Sequence, residues 1–213
     1  MATGKEHPLD ERGERLVHDA GKIFWTYGIK SVTMDDLATR MGISKKTLYQ
    51  YVKDKNDLVE KVLDHLATEF KCMIDKEVEP ERNAIDELFG ITLRVCERLR
   101  TIHPAIHFDL EKYHGEAFRR MMRTKQEEVF STMTGNMERG IKEGLYRDDL
   151  NIPVIAKIYI ARIDALFDGD LFPPDQFNMK DVHWELFRYH IRGIASTKGV
   201  RYLVKKVKKE HNP

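Results

Sequence analysis

The sequence predicts an all-α protein in two parts, a group of short helices at the N-terminus and a larger helical body after it. Three observations carry that expectation. Apolar residues recur three and four apart almost from end to end, the spacing of one face of a helix. Most interruptions hold a glycine, a proline or a capping side chain. No two runs alternate apolar and polar residues across a turn, so no strand pair is expected, and there is no internal repeat or low-complexity block.

The first stripe, Leu16, Val17, Ala20, Phe24 and Tyr27, stops at Gly28, a residue suited to ending a helix. Thr33 then precedes "MDDLATRM", where Asp35 and Asp36 complement the helix dipole from the first turn. Gly42 breaks that helix and Ser44 caps the next. From Asn56 a longer helix carries Leu58, Val62, Leu66, Phe70, Met73 and Ile74 and stops before Pro80. Its successor carries Ile85, Leu88, Thr92, Val95, Leu99 and Ile102 and ends at His103-Pro104. After a short segment over 104–112, a long helix is marked by Phe118, Met122, Val129, Met133, Met137 and Ile141, and Gly144 closes it. Residues 152–167 are as rich in isoleucine as a strand, but their length, with Asn151 and Pro153 at the start, favours helix. The loop "DGDLFPPDQFNMK" leads into a last amphipathic helix with His183, Leu186, Phe187, His190, Ile191 and Ile194.

With 213 residues, 41% hydrophobic and 33% charged, the chain has the size and composition of a globular protein with a buried core. A net charge of +1 excludes a uniformly basic surface, so any nucleic-acid contact must come from local clusters. Two exist. Residues 44–55 set Lys45, Lys46, Lys53 and Lys55 against Asp54, and Lys198, Arg201, Lys205, Lys206, Lys208 and Lys209 stand together without an intervening acid. Cys72 and Cys96 make a disulfide framework unexpected and fit a reducing compartment. The N-terminus lacks the apolar run of a signal peptide, and Lys157, Arg162 and Asp164 interrupt the most apolar stretch, so the expectation is a cytoplasmic protein without a membrane span.

The stretch "SKKTLYQYVKDKNDL" carries the chemistry. A packing helix wants an apolar face, and here Leu48 and Val52 alone supply one; the rest is cationic, hydrogen-bonding and aromatic, a surface suited to phosphates and base edges. Ala38 permits close approach of two helices, Gly42 permits a left-handed turn, and Leu37, Ile43 and Leu48 lock the angle. That is a helix-turn-helix whose second helix enters a DNA major groove. The bland alternative is a short solvated helix.

"VTMDDLATRMGISKKTLYQYVKDKNDLV" resembles the N-terminal signature of the TetR family of transcription regulators. Thr33 opens the second helix, Gly42-Ile43-Ser44 forms the turn, Thr47-Leu48-Tyr49 matches the recognition helix, and Lys55-Asn56-Asp57-Leu58 begins the fourth helix. Two positions depart: Tyr51 stands where His is frequent and Val52 where Phe is frequent. The strong match covers about the first 60 residues; beyond it "GLYRDDLN" and "HIRGIASTKG" look like the helical junction and final helix of such proteins. The resemblance implies a DNA-binding domain over 1–57, an effector-binding and dimerisation domain over 58–198, and a basic tail over 199–213. It also implies that Thr33, Ser44, Thr47, Tyr49 and Lys55 hold phosphates, while Lys45, Lys46, Gln50 and Tyr51 are placed for base edges.

The expected function is therefore a dimeric regulator, a repressor released from a palindromic operator by a small apolar or amphipathic effector. Phe89, Leu93, Phe108, Phe118, Met122 and Phe130 are the candidate effector contacts. The stripe Met121, Met122, Met133 and Met137 fits either core or cavity wall. His183, Leu186, Phe187, His190, Ile191 and Ile194 are the candidate dimer face, paired with 154–167 in a two-fold four-helix bundle, because one chain is not expected to hide both. No cofactor is expected. His103 and His107 have the spacing of a metal pair, but Pro104 between them favours a helix cap; Asp168-Gly169-Asp170 reads as a turn and Cys96 as a small buried residue. The basic tail is a solvated helix or a further phosphate contact. Two rivals remain, an all-α enzyme carrying a helix-turn-helix and a regulator that responds to no ligand or to a protein partner. The enzyme lacks an assembled set of acid, base or metal ligands over 80–198; a filled core around Phe118 and Phe130 would favour the regulator without a ligand.

Overall fold

A computed structural model describes residues 9–79, 81–99, 103, 106–166, 168–173 and 175–211, with the backbone alone at 208–211. The helices are α1 (Glu11–Tyr27), α2 (Met34–Arg40), α3 (Lys45–Tyr51), α4 (Lys55–Asp75), α5 (Ala84–Leu99), α6 (Ile106–Tyr113), α7 (Gly115–Lys142), α8 (Ile152–Ala165), α9 (Met179–Ile194) and α10 (Thr197–His211). Among the described residues the sole β pairing is an isolated bridge between Tyr146 and Ala195. The isoleucine-rich stretch is helical, with Asn151 accepting the Val154 N–H at its cap and Pro153 in its first turn. Part of 104–112 forms α6, and most of the basic tail forms a helix, α10, which is not wholly solvated because its Leu203 is buried. Ile102 and Pro104 of the expected helix end, Phe167, and the side chains of Lys208 and Lys209 lie outside the described residues. No described helix is long and apolar enough to cross a membrane.

The chain forms two compact units, Met1–Glu69 with Ile102–Met122, and Phe70–Thr101 with Arg123–Pro213. The division expected at residue 57 is therefore not where the packing changes. α4 runs on unbroken, and the first unit recruits α6 and the start of α7 because their apolar faces complete its core. Ile106, Leu110, Ala117 and Met121 are buried with Leu16, Phe24, Leu37, Leu48, Leu58 and Val62. Backbone polar groups bind the recruited segment as well: the His103 N–H donates to the Trp25 carbonyl at 2.7 Å, and the Lys30 N–H to Asp109 Oδ2 at 3.0 Å.

In the second unit α5 packs along α9. Phe89 meets Trp184 and Phe187 edge to face, with centroids 5.6 and 5.8 Å apart. Met133 and Met137 of α7 are buried beside them, so those methionines are core. A polar network crosses this core: Asn136 Nδ2 donates to Glu87 Oε1 at 2.7 Å, Tyr146 Oη to Asn136 Oδ1 at 3.0 Å, and Arg139 to Glu87 Oε2 at 2.6 Å. Gly140 leaves room for the Tyr146 ring, which a Cβ there would strike.

The proposed dimer face on α9 is corrected by this packing. Phe187 is 1% exposed, and His183, His190, Ile191 and Ile194 are buried, all within one chain; Leu186 is half-buried. One chain hides this face because α5 covers it. Of the expected apolar surface, Val154 and Ile158 of α8 remain exposed; Tyr189 of α9, outside the expected face, is exposed too, with the Arg162 guanidinium over its ring at 4.7 Å.

Burial lowers both α9 histidines. His183 falls from 6.5 to about 4 through desolvation, helped by the Lys125 charge, and His190 to about 4 through desolvation, helped by Arg162. A folded value below the unfolded one means that the unfolded chain takes up protons first, so stability present above pH 6.5 drains as pH falls toward about 4. Urea midpoints are expected to drop across that interval, and His190→Phe should flatten the drop. Phe187→Ala is expected to cost about 3–5 kcal/mol in urea unfolding, and Phe187→Glu should unfold the second unit rather than release a folded monomer, as read by circular dichroism.

Candidate nucleic-acid interface

The helix-turn-helix is assembled around a seven-residue helix, too short to persist alone. Thr33 starts α2 through a capping box: its hydroxyl accepts the Asp36 N–H at 3.1 Å, while Asp36 Oδ2 accepts the Thr33 N–H at 2.9 Å. Hydrogen bonds from the Thr33 side chain, then from its backbone, hold the Asp36 carboxyl below its usual value. Gly42 takes a φ of 65°, and the Ile43 N–H returns to the Ala38 carbonyl at 3.0 Å to close the turn. Ser44 Oγ accepts the Thr47 N–H at 3.0 Å, capping α3. Leu37, Ala38, Leu48 and Val52 are buried, and they decide which side of α3 faces out.

That outer side carries Lys45, Lys46, Tyr49 and Gln50, with Tyr49 44% exposed. Ser44 and Thr33 are exposed at the two caps, and Thr47 is half-buried with its hydroxyl 2.8 Å from Ser44 Oγ. Lys45 Nζ donates to Asp35 Oδ2 at 3.0 Å, and this hydrogen bond raises its pKa. Asp35 is thus a partner across the turn that the sequence did not reveal, since the two lie on different helices.

Two candidates sit differently from their sequence assignments. Tyr51 turns inward against the first core, and a Cβ on Gly13 would come within 2.8 Å of its ring. Its place is under the helix, where it sets the height of α3 on α1, rather than at a base edge. Lys55 is half-buried; desolvation lowers its pKa against the opposing pull of Asp109 and Asp36. Its side chain is partly withdrawn from water rather than fully extended from the surface.

The six candidate effector residues are divided between the units. Phe108 is 56% exposed, Phe118 is buried in the first core and Met122 half-buried against it. Phe89 and Leu93 line a cleft of about 500 Å³ in the second unit with Glu77, Arg82, Arg94 and Lys206. Phe130 lines a different cleft, of about 460 Å³, with Arg123, Lys157, Ile160 and Asp164. In the C-terminal cluster, Lys198 donates to the Glu143 carbonyl and Lys206 pairs with Asp86 at 3.0 Å, so both are engaged within the second unit. The His107 ring stacks edge-on against Phe118, with centroids 5.1 Å apart, and the His103 carbonyl accepts the Ile106 N–H at the start of α6. Asp168 Oδ1 accepts the N–H groups of Asp170 and Leu171, as a turn requires, and Cys96 is buried.

The family model for bacterial regulatory proteins of the tetR family matches residues 16–62, which span α1 to the first half of α4. An HTH-type transcriptional regulator of Staphylococcus aureus (strain bovine RF122 / ET3-1), SAB2452, is 33% identical over 126 residues, covering 51% of this chain and 68% of its own. The chain belongs to the TetR family. As a TetR-family protein it is a DNA-binding transcription regulator of the helix-turn-helix type. Similarity to the HTH-type transcriptional repressor KstR2 of Mycolicibacterium smegmatis, 24% identical, extends over 73% of this chain and 77% of that one. The TetR-family fold also continues through the second unit. A transcriptional regulator from Cytophaga hutchinsonii superposes with a TM-score of 0.69 at 19% identity, covering 88% of this chain and all of that one.

Because Leu48 alone anchors the middle of α3, Leu48→Ala is expected to cost about 2–5 kcal/mol, measured by urea unfolding, and Ser44→Ala about 1 kcal/mol.

Proposed function

We propose that this protein is a repressor that binds a palindromic operator as a homodimer and leaves it when a small apolar or amphipathic molecule binds the second unit. The supporting observation is the outer face of α3: Lys46, Tyr49 and Gln50, three and four apart, stand exposed on a helix whose opposite side is locked by Leu48. Lys46 and Gln50 suit base edges, Tyr49, Thr33, Ser44 and Thr47 suit phosphates, and Lys45 would exchange Asp35 for DNA on docking. Tyr51 and Lys55 act as supports for this surface. The similar KstR2 of M. smegmatis is named a repressor, which favours repression over activation.

The dimer contact moves from the buried side of α9 to the exposed Val154 and Ile158 of α8 with Tyr189 of α9. Two heads would then address half-sites about one DNA turn, or a multiple, apart. The effector takes the cleft of Phe89 and Leu93, whose volume is that of small-molecule sites and where Arg94, paired with Glu77 at 3.0 Å, lines the wall beside a polar end. The effector releases DNA only if it binds the DNA-free form more tightly, and operator must weaken effector binding by the same factor. In this reading the protein acts in the cytoplasm and catalyses no reaction.

Selection of bound sequences from random DNA supplies the operator, and fluorescence anisotropy then measures affinity against salt. Lys46→Ala/Tyr49→Ala should weaken binding while leaving the thermal transition in place; with Lys46 on a base edge and Tyr49 uncharged the salt slope should change little, whereas a fall of about 0.9 would show that Lys46 neutralises a phosphate instead. A folded double variant with undiminished affinity would exclude this face as the reading surface.

A further inference from the structure

Three potential metal ligands meet on the first unit away from α3. His18 of α1 and His65 and Glu69 of α4 bring one ligand atom each into a common cluster. His18 Nδ1 lies 2.8 Å from Glu69 Oε1, His65 Nε2 lies 3.4 Å from the same oxygen, and the two ring nitrogens are 3.4 Å apart. Atoms bound at about 2.0–2.1 Å to one zinc-like ion stand about 3.3 Å apart in a tetrahedron and about 2.9 Å apart along an octahedral edge. The observed triangle has those dimensions, so an ion at its apex reaches all three ligands without rebuilding either helix.

We propose that His18 Nδ1, His65 Nε2 and the Glu69 carboxylate bind a divalent transition ion of the zinc class. His65 and Glu69 are four apart and share one face of α4, the spacing by which a helix offers two ligands to one metal. The third ligand arrives from α1 because the helices touch one turn away: a Cβ on the buried Gly21 would lie 3.3 Å from Val62 Cγ1. Gly21 is three residues from His18 and Val62 three from His65, so that contact sets the distance between the ligand-bearing turns. The rings meet edge-on, with centroids 5.5 Å apart and planes at 71°, which lets their nitrogens converge. Two imidazoles and a carboxylate suit zinc, cobalt or nickel better than magnesium or calcium, which prefer oxygen throughout. The side chains are 39%, 31% and 30% exposed, leaving the remaining coordination positions to water. Bound metal would pin α1 to α4 next to Glu69, the last residue of the first unit on that helix. Without metal, the same atoms form a hydrogen-bonded cluster, and titration with metal separates the two.

The test uses tag-free full-length protein, stripped with chelator and titrated with Co2+. One Co2+ per chain with visible ligand-field bands, displaced by Zn2+, is the expected result, together with a rise in Tm on adding Zn2+. His18→Ala and Glu69→Gln should each weaken Co2+ binding by more than about tenfold and remove the Tm rise, while circular dichroism stays unchanged. His103→Ala/His107→Ala should leave the titration as it is. Absence of bands in the parent protein overturns the proposal. So does a titration that survives in the folded His18→Ala/Glu69→Gln variant, which would assign the ion to other histidines.

Discussion

Everything in the helix-turn-helix depends on Leu48. A seven-residue helix has no cooperative stability of its own, so α3 exists because Leu48 is driven into the core that also holds Leu37 and Leu58, and its orientation follows from that burial. The outward direction of Lys46, Tyr49 and Gln50 is a geometric consequence of one apolar side chain pointing the other way. The caps at Thr33 and Ser44 and the left-handed Gly42 set where the two helices begin and end, and Tyr51 on Gly13 adds a second support from beneath.

The second unit is held by a different mixture. Its core is apolar along α5 and α9 but contains the chain Arg139, Glu87, Asn136 and Tyr146, each hydrogen-bonded to the next. Such a network tolerates little sliding of α7 against α5, because any shift leaves a buried acceptor unmet. Burial pushes the Tyr146 hydroxyl well above its usual value, so it remains a donor to Asn136 over the ordinary pH range. The histidines of α9 are neutral for the same reason, which makes them packing groups near neutral pH and liabilities in acid.

Local signals were legible in the sequence, and long-range ones were not. Helix periodicity, the Gly42 turn and the Thr33 and Ser44 caps depend on neighbours a few residues apart, and each appears as expected. The inward side of Tyr51 was hidden because a terminal turn can place an aromatic ring on either face; Gly13, two helices earlier, decides it. The apolar face of α9 was visible, but whether α5 of the same chain or a second chain covers it cannot be read from periodicity, which reports that a face is buried and not against what. The effector list failed as a cluster for a related reason: aromatic spacing says nothing about which side of Glu69 a segment packs on. His65 and Glu69 carried a local signal, a helical pair four apart, that becomes specific only when α1 supplies His18.

The first unit is discontinuous in sequence, and that has a consequence for how such proteins exchange parts. Ile106 and Leu110 fill its core from beyond α5, and Asp109 satisfies the Lys30 amide from the same helix. A recombinant that carries residues 1–57 onto a foreign body would leave that cavity unfilled and that amide without its acceptor. A single crossover therefore cannot move this head as a cassette; α6 must travel with it, so a workable transplant needs junctions on both sides of α5.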